Sequence, residues 1–287
     1  MKQTNRTLRF TAAALTLTLG LGLTACGGTA PAAETPEEVM TKAQEAMAGV
    51  TSMGYDMTMD LSLGAEGETL TISSVTRADT ILSPLVMKAE MEMDLGDLGG
   101  TTNMVLYAKE QDGSYLTAVG TPDETGQMVW QSSSMDALGE LETLNGADSM
   151  QLYLDSIQNF TQGESETVGG VEATRYDGVI LGEDLSEVIA ASGALSQLDS
   201  LGLGEMSDLF TDMGDLPVSL WIAKETYYPV KYEMDLTKMM QSILDKTLSE
   251  QVGADIGLTV EQTALSMTLR DINQVGGIEI PAEALET

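Results

Sequence analysis

Between residues 53 and 63 every odd position is apolar (Met53, Tyr55, Met57, Met59, Leu61, Leu63), while Gly54, Asp56, Thr58, Asp60 and Ser62 fill the even ones. A period of two predicts a strand with one buried and one wet face. The alternation returns after Pro84, where Leu85, Met87, Ala89, Met91 and Met93 interleave with Lys88, Glu90, Glu92 and Asp94. It is clearest at 217–236. There Val218, Leu220 and Ile222 on one strand face the same way as Tyr228, Val230, Tyr232, Met234 and Leu236 on the next. The polar link Ala223-Lys224-Glu225-Thr226 is short enough to permit only a hairpin. Pro229 has no amide hydrogen to give a ladder, which predicts an edge or a strand start.

The other strands are read the same way. Leu70, Ile72, Val75 and Ala78 mark a less regular second strand, and 101–109, 114–119 and 127–132 are three more. Polar turns separate them at 64–67, 94–100, Gln111-Asp112-Gly113 and Thr121-Pro122-Asp123-Glu124. Six strands at hairpin spacing predict a meander. Further on, 161–168 and 171–181 flank Gly169-Gly170, 258–270 is the last long strand, and 278–281 is a short terminal strand stopped by Pro281.

Elsewhere the period shifts to that of a helix. Thr35-Pro36-Glu37-Glu38 supplies an N-cap, a proline at the first helical position and a glutamate three residues after the cap. Val39, Met40, Ala43, Ala46 and Met47 then share one face, and Gly49 is placed to end the helix. Helices are also predicted over 135–144 and 149–160, the second from Met150, Tyr153, Leu154, Ile157 and Phe160. The Gly-broken acidic stretch 183–215 predicts two short helices, 184–195 and 205–210, lying over the opening of the sheet. Residues 238–251, with Met239, Met240, Ile243, Leu244 and Leu248 at helical spacing, predict an amphipathic helix. No repeat, long linker or composition break divides 35–287, which predicts one domain.

At the N-terminus, Lys2, Arg6 and Arg9 precede an apolar run over 10–23 that ends in Leu23-Thr24-Ala25-Cys26. This is an export leader, with a run shorter than the about 20 residues that span a bilayer. It resembles a lipobox, in which the cysteine thiol is diacylated and becomes the new N-terminus. Cys26 is the one cysteine, so it has no disulfide partner within the chain. The expected organisation is a leader over 1–25, a flexible tether over 26–34 and a folded domain over 35–287. Gly27 is compatible with retention on the outer face of the cytoplasmic membrane.

The 217–236 hairpin, with its Lys224-Glu225 turn and the following Tyr228-Pro229-Val230-Lys231, resembles bacterial lipoproteins of the carrier fold, the LolA/LolB and LppX/LprG-like group. The Val168-Gly169-Gly170-Val171 hairpin and the Ile278-Glu279-Ile280-Pro281 ending are similar to that group as well. The resemblance implies an α+β fold: an unclosed antiparallel β half-barrel with helices packed on its concave side. It also implies a lipid-sized cavity.

Composition narrows the chemistry. The chain has 287 residues, 43% of them hydrophobic, with 13 Lys and Arg against 45 Asp and Glu for a net charge of −32. Loss of the leader makes it three units more negative, a surface that repels nucleic acid and anionic headgroups. Histidine is absent, which removes His-based triads and His metal sites. Asp208, Asp212 and Asp215 lack the spacing of a calcium loop. The pairs Asp56/Asp60 and Glu90/Glu92 sit on wet strand faces, where nothing raises the pKa of an acid. No G-x-S-x-G, P-loop or S-x-x-K motif occurs, so no enzyme, cofactor or metal is expected.

Nineteen methionines against 5% aromatics is the compositional oddity. The candidate cavity-lining set is Met57, Met59, Met87, Met91, Met93, Val230, Tyr232 and Met234, soft side chains suited to ligands of variable shape. The same residues fit an ordinary packed core. Trp221, on the outward parity, is a rim residue or a surface contact. Two functions follow. One is a monomeric, membrane-anchored, non-catalytic binding or carrier protein for a lipid or acylated ligand, which includes a lipoprotein. The other is an envelope scaffold or sensor with a self-filled core, acting through protein contacts.

Overall fold

The computed structural model describes residues 34–65, 67–96, 99–111, 114–135, 153–191, 214–251 and 257–285. Helix α1 (Pro36–Met47) leads into a meander of six strands: β1 (Ser52–Ala65), β2 (Glu68–Leu82), β3 (Leu85–Asp94), β4 (Thr101–Gln111), β5 (Ser114–Pro122) and β6 (Met128–Met135). A second run follows with β7 (Ile157–Val168), β8 (Val171–Ile180), α2 (Gly182–Ala191), β9 (Leu216–Ala223), β10 (Pro229–Asp235), α3 (Thr237–Gln251) and β11 (Thr259–Arg270). All eleven strands form one antiparallel sheet in the order β6-β5-β4-β3-β2-β1-β11-β10-β9-β8-β7. Two meanders are thus fused along a single seam, β1 against β11, running from Gly54↔Arg270 to Gly64↔Thr259. Among the described residues β6 and β7 have one partner strand each, so the sheet is not closed. The class is α+β, an open half-barrel with its helices on one side.

Local chemistry explains where α1 starts. The Thr35 hydroxyl accepts from the Glu38 amide (3.2 Å) and the Glu38 carboxylate accepts from the Thr35 amide (2.9 Å), the reciprocal capping box the sequence predicts. Val39, Met40, Ala43 and Met47 are buried against the sheet. They join Leu154, Ile157, Ile180, Leu185, Leu220, Ile222 and Tyr232 in the main core, which therefore occupies the helix-bearing face of the second meander. We call this the inner face. Met239 and Met240 of α3 pack against the same core.

Two smaller clusters lie on the outer face. Val168, Ala173, Trp221, Ala223 and Val230 form one. In the other, Tyr107, Ala118 and Ala284 are joined by Trp130, Ile278 and Ile280, so the C-terminal segment crosses back over the outside of the first meander.

Several elements differ from the sequence expectation. Of the helix read over 149–160, residues 149–152 lie outside the described residues, 153–156 are helical, and Ile157 already begins β7. Pairing with β8 overrides the local pattern there, helped by a register shift between Gln158 and Thr161 and by Asn159 at a φ of 58°. Residues 278–281 make no strand: Ile278 and Ile280 are held by side-chain packing on the outer face and not by a ladder. Pro229 does start a strand, but β10 lies inside the sheet between β9 and β11. Of the helix expected over 135–144, Met135 is the last residue of β6 and 136–144 lie outside the described residues, as do the helix expected at 205–210, Cys26, Asp208 and Asp212. Asp215 is described, and its carboxylate accepts from the Gly182 amide at 3.3 Å.

Candidate functional site: a methionine-lined inner face

Strand register assembles the site. In antiparallel sheets, residues directly opposite share a face, with Cβ atoms about 4.5–5.5 Å apart. One cross-strand row runs Tyr176↔Leu220↔Tyr232↔Met267, then Met267↔Met57↔Thr76↔Met91↔Met104. The neighbouring row runs Val218↔Met234↔Leu265↔Met59↔Ser74↔Met93. Six candidates, Met57, Met59, Met91, Met93, Tyr232 and Met234, therefore meet in two adjacent rows. Met87 is on the same face two rows away, opposite Thr80 and Ala108. Met104 and Met267 belong to the band but were not among the candidates; the inward parity of their strands is the signal that finds them.

Burial divides this face. Tyr232 is 0% exposed and sits in the main core, whereas Met57, Met59, Met87, Met91, Met93, Met104, Met234 and Met267 are all half-buried. A row of thioethers that is neither in bulk water nor fully packed is what an adaptable lining requires. The face also meets buried hydroxyls: among the described residues, the side-chain oxygens of Thr76, Tyr153, Tyr232 and Thr263 have no hydrogen-bond partner. Tyr153 and Tyr232 meet edge to face with ring centroids 5.5 Å apart. Burial pushes both phenols above their ordinary range, and the nearby Tyr153 adds to the shift at Tyr232. Thr76 and Tyr232 stand in the same row, three strand spacings or roughly 14 Å apart.

Val230 does not share this face. The ladder pairs Pro229 with Ile222 and Lys231 with Trp221, which leaves Val230 as the extra residue of a bulge. It turns outward into the cluster around Trp221. There it lines a cleft of about 520 Å³ with Tyr228, Leu269, Arg270 and Ile272. A second cleft, of about 490 Å³, is bordered by Met234, Thr263, Arg175 and Asp177. Neither is lined by Met57, Met59, Met91 or Met93.

Trp221 is an outer-face core residue, 2% exposed. Lys231 Nζ lies 4.3 Å and Arg175 Cζ 5.3 Å from its ring, and its indole N–H donates to Glu166. The carboxylates on this side are structural. Asp56 pairs with Arg270 at 3.3 Å, Asp79 with Arg270 at 2.7 Å, and Glu90 with Lys88 at 2.8 Å. Gly54 makes room for the Arg270 guanidinium, which lies where a β-carbon at position 54 would stand. Among the described residues no group of three or more His, Cys, Asp or Glu side chains is placed to hold a metal, and no helix is long and apolar enough to cross a membrane.

The geometry is that of an open antiparallel half-barrel, and a solved structure shares this fold. LprF from Mycobacterium bovis is similar over 87% of this chain and 98% of its own, at 14% identity and a TM-score of 0.51. The lipoprotein LppX from Mycobacterium tuberculosis aligns over 85% of this chain and 100% of its own, at 13% identity and a TM-score of 0.42. A LolA superfamily protein from Nitrosomonas europaea aligns over 86% of this chain and 96% of its own, at 9% identity and a TM-score of 0.23. Residues 35–152, which include α1 and the first meander, match a family of unknown function, DUF6612. Comparison with curated proteins gave no match.

Proposed function

We propose that the chain is an exported lipoprotein, anchored through diacylglyceryl Cys26, which holds a lipid or acylated ligand against its methionine face without catalysis. In this reading 1–25 is a cleaved leader, 26–34 a tether and 35–287 one folded, monomeric domain. Met57, Met59, Met87, Met91, Met93 and Met234 line the ligand, joined by Met104 and Met267, while Tyr232, 0% exposed, lies beside them in the packed core. The observation that carries it is the coincidence, on one face, of half-buried thioethers with buried hydroxyls that lack partners. Thioethers adapt to a disordered chain of CH2 groups, and an unpaired hydroxyl gains when an ester or carboxyl oxygen arrives to accept its proton. Each buried CH2 of an anchoring acyl chain contributes about 0.8 kcal/mol, so two chains hold even a strongly acidic protein at a membrane.

A second reading, an envelope scaffold or sensor acting through protein contacts, is favoured by the inner face of the second meander. There α1, Leu154 and Leu185 cover Leu220 and Tyr232 completely. Native mass spectrometry of the protein taken from its own membrane separates the two. A co-purifying lipid mass beyond the anchor supports the carrier, and its absence supports the scaffold.

A further inference from the structure

The methionine band carries chemistry beyond that of an apolar lining. Met57 and Met267 are directly opposite across the β1–β11 seam, and Met59 follows Met57 on the same face. Met234 stands opposite Leu265, one row along from Met267. Four thioethers thus cluster on three adjacent strands. Met57, Met59 and Met267 are mutual neighbours, opposed Cβ atoms being about 5 Å and diagonal ones about 7–8 Å apart, and Met234 is diagonal to Met267 but two strand spacings, about 10 Å, from β1. The sulfur lies two bonds beyond Cβ on an unbranched chain, free to turn toward a common centre. All four are half-buried, so a small ion has access to them. The strand positions around them on this face are Tyr55, Leu61, Ser74, Thr76, Tyr232 and Leu265, with no carboxylate to favour a hard cation.

We infer that Met57, Met59, Met234 and Met267 form a binding site for a soft monovalent cation, Cu(I) or its analogue Ag(I). Thioether sulfur selects Cu(I) over the hard divalent ions, which prefer oxygen, and over zinc, which this chain offers no histidine to hold. The net charge of −32 raises the local concentration of any cation. Two to four neutral sulfurs satisfy the ion without burying a second charge. Met239 and Met240 of α3 pack on the same core as Met234 and Met267. The inference is independent of the lipid reading, since it needs sulfur and not apolar volume.

The test uses the full chain carrying Cys26→Ser in detergent, so that no thiol competes. Without cysteine or histidine, soft-metal binding reports on methionine alone. Cu(I) is titrated anaerobically against a chromophoric Cu(I) chelator, and Ag(I) is titrated calorimetrically. Met57→Leu/Met267→Leu keeps the apolar volume and removes two sulfurs. Loss of a direct ligand costs at least the about 10–100-fold that loss of a ligand's supporting partner costs. The double variant is therefore expected to bind both ions at least tenfold more weakly, while the melting temperature is retained. Met87→Leu, on the same face but away from the cluster, is expected to bind as the parent does. X-ray absorption of the Cu(I) form is expected to show sulfur neighbours only. Failure of the parent to compete for Cu(I), equal binding by the double variant, or nitrogen and oxygen neighbours would each overturn the assignment.

Discussion

Replacing Met91 with tryptophan tests whether the inner face of the first meander is open. Met91 lies between Thr76 and Met104 across the ladders, with Ala89 and Met93 two positions away along β3, and it is half-buried. In a packed site the larger ring forces off-rotamer side chains at a cost of about 1–3 kcal/mol. For a chain of this size each kcal/mol moves the melting temperature by about 2–4 °C, so the packed case predicts a fall of about 2–12 °C. In an open site the substitution behaves like a surface change, within about 0.5 kcal/mol or roughly 2 °C. Ala43→Leu provides the calibration. Ala43 is 0% exposed on the sheet-facing side of α1, and the three added carbons have nowhere to go. We expect Met91→Trp to melt close to the parent, well above Ala43→Leu, and to lose the lipid mass that the parent carries in native mass spectrometry. If Met91→Trp falls as far as Ala43→Leu and the lipid mass is unchanged, the reasoning from half-burial to open space is wrong.

Three further outcomes follow from the same structure. Cys26→Ser is expected to abolish incorporation of labelled fatty acid, and label retained on the variant would sink the lipobox reading. Trp221→Ala is expected to destabilise by about 3–5 kcal/mol in urea unfolding, as a buried indole does, and Trp221→Phe by less, about 1–3 kcal/mol for the hydrogen bond to Glu166. Burial raises the Tyr153 and Tyr232 phenols, so above about pH 10, where unfolded tyrosine ionises, the folded chain still holds protons that the unfolded chain has lost. Their contribution is complete below about pH 10 and declines as the pH climbs toward the folded values. Urea midpoints at about pH 9 and about pH 11 should therefore differ more for the parent than for Tyr153→Phe/Tyr232→Phe, and equal differences would contradict the assignment.

Much of the architecture is written in short-range patterns. The alternation in β1 and β3 and the cap at Thr35 depend on neighbours in sequence, and the strands and helix form where those patterns lie. What was not legible depends on pairing between distant segments. One extra residue at Val230 shifts its side chain to the other face, and counting by twos cannot register a bulge whose partner lies on β9. Trp221 is buried because Arg175 and Lys231 from flanking strands close over it, a long-range arrangement that its strand parity does not encode. Ile157 and Phe160 fit a helical spacing equally well, and the ladder with β8 decides for the strand. The band of methionines is intermediate: each strand announces its own inward members, but only register shows that Met57, Met267, Met91 and Met104 stand in one line.

The β1–β11 seam has a consequence for how the chain is assembled. β1 is followed directly by its partner β2, but its other partner, β11, comes roughly 190 residues later, so that ladder closes only after a long loop has been ordered. Until then β1 is a bare edge of fourteen residues. It carries no lysine, arginine or proline, the residues that usually keep exposed edges from joining other chains. In the finished protein it never needs them, because it is the centre of the sheet. The vulnerable period is therefore synthesis and transport, when an incomplete chain presents methionine-studded backbone to any neighbour. A fragment stopping short of Thr259 keeps that exposure permanently, so the C-terminal twelve-residue strand acts as the latch that makes the molecule safe to store.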